Sequence, residues 1–132
     1  MPILNVKVAA SRSDKLSNEI ASTLVELTKR VLGKNPDLMA VAISHVDPRD
    51  WFVGGRSLAD QGKSSFFLDI KVVDETNTKA QKAEYVREVF EAFARILPNL
   101  HEESYIHVDD VRPTTYGYGG RTQEFRYHHP PA

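Results

Sequence analysis

The sequence predicts an α/β domain built from two tandem βαβ units, and three observations carry that prediction. Residues 2–8, PILNVKV, are matched by residues 66–72, FFLDIKV, with Leu4, Val6, Lys7 and Val8 against Leu68, Ile70, Lys71 and Val72. Each matched segment alternates its apolar residues and is followed by a stretch with apolar residues at three- and four-residue spacing. The segments WFVGG at 51–55 and YGYGG at 116–120 close the two copies. The pseudo-repeat therefore spans 2–55 and 66–120 of one domain covering 1–132, with a connector at 56–65 and a C-terminal tail at 121–132.

The elements follow in order. Alternation puts Leu4, Val6 and Val8 on one face of the first strand and Ile3, Asn5 and Lys7 on the other, as in a sheet covered by helices on one side. Ser13 caps the first helix, whose stripe is Leu16, Ile20, Leu24, Leu27 and Val31. Thr78 and Gln81 form a capping box for the second, whose stripe is Val86, Phe90, Phe93 and Leu97. Gly33 and Pro98 end them. A second strand closes each half, from Met39 to Val46 and from Tyr105 to Val111. The result is a four-stranded sheet with two helices on one face. Its other face receives Ile3, Phe67, Ala40, Ala42 and Tyr105, so self-association into a closed homo-oligomer is the physical expectation.

Composition excludes several classes of function. The 17 Lys and Arg balance 18 Asp and Glu, which gives no bulk electrostatic reason for nucleic acid or an acidic membrane as partner. There is no cysteine, so disulfides, thiolate nucleophiles and thiolate metal sites are excluded, and a cytoplasmic location is the default expectation. No run of roughly 18 apolar residues and no leader pattern is readable. Neither GxGxxG nor a Walker pattern surrounds the Gly-Gly pairs, which read as turns. His128 and His129 in the tail lack a carboxylate or cysteine partner at metal-site spacing, and the tail reads as a flexible or edge-covering segment.

Pro2 is the chemical candidate. After removal of Met1 its nitrogen becomes a secondary amine, and opening a strand fixes that amine in the sheet. Partial desolvation and nearby cations draw such an amine toward neutrality, where general-base catalysis works best.

On these residues the chain resembles the tautomerase superfamily, whose members are built from this βαβ unit and use an amino-terminal proline as base. The first half is similar to 4-oxalocrotonate tautomerase in Pro2, in the Arg12-Ser13-Asp14 stretch before the helix, and in Trp51 ahead of a Gly-Gly pair. The resemblance implies that Arg12 binds a substrate carboxylate and that Trp51 lines the pocket. The family's second arginine matches Ala40 here, which points away from the usual dicarboxylate substrate. The two-unit length and GKNPDLMAV at 33–41 resemble the branch of macrophage migration inhibitory factor, with Lys34 on its active-site lysine. Tyr105-Ile106-His107 resembles that branch's tyrosine-isoleucine-asparagine stretch, whose tyrosine reaches the proline of a neighbouring subunit. His107 replaces the asparagine, a departure that bears on which substrates bind.

Each residue also has a structural reading. Arg12 can be solvated, Lys34 can serve the helix dipole, Trp51 and Tyr105 can be packing residues, and His107 can be a surface strand residue. The resemblance implies a homotrimer with sheets facing inward. It also implies keto–enol or allylic proton transfer on a small carboxylated carbonyl compound, without cofactor or metal. The alternatives are a hydration-type dehalogenase or decarboxylase on the same fold, with Asp37 or Glu103 as the acidic group, and a noncatalytic binding protein.

Overall fold

The computed structural model describes residues 2–130 of the chain, so the fate of Met1 lies outside the described residues, as do Pro131 and Ala132. In each half a strand, a long helix and a parallel strand follow one another. In the first half these are β1 (Ile3–Val8), α1 (Asp14–Leu32) and β2 (Ala40–His45); in the second they are β5 (Phe66–Val73), α3 (Lys79–Ile96) and β6 (Tyr105–Val111). Each half ends in a hairpin and a short helix: β3 (Phe52–Val53), β4 (Arg56–Ser57) and α2 (Leu58–Gln61), then β7 (Gly117–Tyr118), β8 (Arg121–Thr122) and α4 (Gln123–His128).

The sheet order is β2-β1-β5-β6, with β1 and β5 joined antiparallel at the centre and each outer strand parallel to its inner neighbour. Leu4, Val6 and Val8 of β1 and Phe66, Leu68, Ile70 and Val72 of β5 are buried in one cluster with Ile20, Leu24 and Leu27 of α1 and Val89 and Phe93 of α3. Strand alternation thus delivers its apolar set to the helix-covered face. Ser13 accepts from the Leu16 N–H at 3.0 Å, and the Thr78/Gln81 capping box forms in full. Gly33 at φ 69° closes α1 and sends its N–H to the Lys29 carbonyl, a left-handed position that suits glycine.

Two expectations change. The α3 stripe differs at its start, where Tyr85 and Val89 are buried and Val86 is 39% exposed, while Phe93 and Leu97 are buried as expected. The cause is polar, because the Tyr85 hydroxyl finds a partner 2.8 Å away in the buried Thr28 Oγ1 of α1. The connector at 56–65 is no featureless linker, since it holds β4 and α2 and buries Leu58 completely. The tail repeats the arrangement with β8 and α4. Among the described residues no helix is long and apolar enough to cross a membrane.

Candidate active site

Because β1 and β5 run antiparallel, the start of the first half lies at the same end of the sheet as the finish of the second. Pro2 sits at that end and is buried. Its carbonyl accepts from the Ala40 N–H at 3.3 Å, and the next amide, Ile3 N–H, donates to the Tyr116 hydroxyl at 3.1 Å. The row through Ile3 continues to Ala40 on one side and to Lys71 and Asp109 on the other.

Lys34 reaches the same end because α1 returns the chain antiparallel to β1. Its Nζ donates to Thr76 Oγ1 at 2.9 Å, in the turn after β5. Burial lowers the pKa of this half-buried ammonium, and the Asp110 charge offsets part of the shift. Lys71, on the open sheet face, bonds Asp109 at 2.9 Å and Asp69 at 3.1 Å, and those bonds raise its pKa. The Tyr116 phenol is held above its ordinary range by burial, against the opposing effects of its bond from Ile3 and of the Lys71 charge.

The other candidates lie elsewhere. Arg12 follows β1, is exposed, and pairs with Asp14 at 2.9 Å. Trp51 and Tyr105 line an open cleft of about 640 Å³ with Phe52, Arg56, His101 and Glu103. That cleft lies at the far end of β1, about 20 Å from Pro2 for six residues of strand. Tyr105 is 62% exposed and donates its hydroxyl to Glu103, which raises the phenol's pKa. His107 stands mid-strand on the open face, its Nδ1 3.7 Å from Asp69 Oδ1. One chain therefore unites Pro2 and Lys34, whereas Arg12, Trp51 and Tyr105 gather at the opposite end.

Residues 2–61 match the family described as tautomerase enzyme. The probable tautomerase SAV1363 of Staphylococcus aureus strain Mu50 is 31% identical over 61 residues, which are 46% of this chain and 100% of that protein. This chain belongs to the tautomerase family. Two solved structures show how far the tautomerase fold extends beyond the matched half. An F6 fused 4-OT, described as an asymmetric trimer, superposes with a TM-score of 0.76 at 18% identity over 93% of this chain and 97% of its own. The FG41 malonate semialdehyde decarboxylase inhibited by 3-bromopropiolate gives 0.74 at 15% identity over 98% of both chains. At such identities the likeness establishes the fold alone.

Tyr116, Thr76 and Lys71 escape the sequence reading of this tautomerase's site. Tyr116 had a signal: it occupies in YGYGG the position of Trp51 in WFVGG, and antiparallel joining of two repeats sets each half's hairpin beside the other half's first residue. The first half's aromatic residue is conspicuous in the sequence, but the second half's is the one beside Pro2.

Proposed function

We propose that the protein is a cofactor-independent tautomerase in which the Pro2 amine, freed of Met1, is the base for keto–enol or allylic proton transfer on a small carboxylated carbonyl compound. The observation that supports this reading best is the anchoring of Pro2. Hydrogen bonds hold the groups on both sides of its peptide link, at the Pro2 carbonyl and at the Ile3 N–H. General-base catalysis needs such a fixed amine, and burial favours its neutral form.

In the proposed step Pro2 removes the enol hydroxyl proton, or a proton α to the carbonyl, and returns it at the other end of the conjugated system. Lys34 holds the substrate carboxylate and steadies charge developing on the oxygen. The rest of the pocket comes from neighbouring subunits of a homotrimer whose open sheet faces meet, with Tyr105, His107, Trp51 and Arg12 contributed across the interfaces. The distance between the two ends of one chain supports this division for Arg12, Trp51 and Tyr105, which lie too far from the Pro2 of their own subunit to serve it.

The test combines intact mass with ketonisation of phenylenolpyruvate and 2-hydroxymuconate by wild type and Pro2→Ala. The expected result is loss of Met1, acceleration by wild type and loss of most of the rate in the variant. Inactive processed protein, or a variant equal to wild type, would move the binding-protein reading ahead.

A further inference from the structure

We infer that Tyr116 is the positioning residue of the Pro2 amine: its hydroxyl anchors the peptide group that follows Pro2 and so fixes where the nitrogen points. This rests on the proposed role of Pro2 as base.

The argument begins with the degrees of freedom of an amino-terminal proline. Its ring fixes φ, so the torsion that joins the ring to the next peptide plane is the main one left. That plane carries two polar groups, the Pro2 carbonyl and the Ile3 N–H. Ala40 takes the first at 3.3 Å, and at the second the Tyr116 oxygen accepts from the Ile3 N–H at 3.1 Å. Two bonds on opposite sides of one plane fix its rotation. The ring, and with it the nitrogen lone pair, is then held in one direction.

Tyr116 is itself held firmly enough to serve. Its carbonyl accepts from the Gln123 N–H at 2.8 Å, which ties it to the start of α4. The next residue, Gly117, leaves no room for a side chain, because a Cβ there would lie 2.0 Å from the Arg121 carbonyl oxygen. The hairpin is thus closed directly behind the phenol. The first half makes the same carbonyl bond, from the Leu58 N–H to Trp51 at 2.8 Å, yet an indole is a donor with no acceptor for an amide. An accepting hydroxyl occurs in this hairpin position only at the end where Pro2 sits.

The experiment compares wild type, Tyr116→Phe, Tyr116→Trp and, as a control, Tyr118→Phe. Intact-mass titration with 2-oxo-3-pentynoate, an acetylenic keto acid that adds an amine N–H across its triple bond, counts reactive Pro2 amines. Phenylenolpyruvate ketonisation is then expressed per reactive amine, so that misfolded protein drops out. Loss of position should lower kcat about tenfold or more in both Tyr116 variants and leave KM within about twofold. The labelling pH profile should move upward as the freed amine becomes more hydrated. A lowered melting temperature with kcat per reactive amine unchanged would overturn the inference while leaving Pro2 as base. Wild type that is neither labelled nor active would overturn both.

Discussion

The two ends of the sheet are made from the same repeat, and they differ most at the residue that opens each half. At one end stands Pro2; at the other the matching residue, Phe66, is fully buried and stacked on Phe93 with ring centroids 3.9 Å apart. Behind each lies an equivalent hairpin and capped turn, with Ser57 accepting from the Asp60 N–H and Thr122 from the Phe125 N–H. On the proposed mechanism the chemistry belongs to the Pro2 end, because a strand entered from Ser65 has an amide at the position where loss of Met1 would leave Pro2 an amine. The second copy has turned its opening position over to the core, and the contrast separates residues that hold the fold from residues that act.

The largest effect that tests this contrast is at the core end. Phe66→Ala should cost about 3–5 kcal/mol in urea unfolding, since it opens a cavity against Phe93. Pro2→Ala should do the reverse, lowering ketonisation by about 100-fold, equivalent to about 2.7 kcal/mol at the barrier, with a much smaller change in unfolding midpoint. Equal stability losses from both would break the distinction. The seam between the halves gives the next effect. Thr28→Val strands the buried Tyr85 hydroxyl, whose pKa burial has pushed up to about 12, and should cost about 1–3 kcal/mol.

Lys34 sharpens the comparison by pH. Its pKa lies below the usual lysine range in the folded protein, so its charge is complete below that value and disappears as pH rises through it. The KM for an anionic substrate should therefore climb at a lower pH than an ordinary lysine would give. Lys34→Arg, charged throughout, should flatten that rise. The smallest effect is at Gln123, which stands where the first half has Leu58. Gln123 is 8% exposed and its Nε2 has no hydrogen-bond partner among the described residues. Gln123→Leu should be neutral or stabilise the fold by up to about 1 kcal/mol, measured by urea unfolding.

Much of this architecture is legible in the chain, because the repeat encodes it twice. Leu4 against Leu68 and Val6 against Ile70 set the strands and their buried face, and Ser13, Gly33, Thr78 and Gln81 mark helix ends through local bonds that any reader of the sequence can anticipate. Lys34 enters as a candidate through the resemblance alone, and its place at the Pro2 end follows because a helix returns the chain to where its strand began. What escapes is what depends on relations between the halves. The Tyr85–Thr28 contact brings Tyr85 into the core in place of Val86, and the antiparallel pairing of β1 with β5 carries Trp51 away from Pro2 and brings Tyr116 in. Spacing within one half contains no record of either. Leu58 shows the same limit, since a single leucine in a polar connector does not announce that it will be fully buried.

The bond from Ile3 to Tyr116 joins residues 113 positions apart. Contacts of such span form late, after the intervening chain has condensed, because closing so long a loop costs entropy that local contacts avoid. On a ribosome, which delivers the amino terminus first, Pro2 emerges long before its phenolic anchor has been synthesised. On the proposed reading, a chain stalled before Tyr116 would carry Pro2 without the hydroxyl that aims its amine.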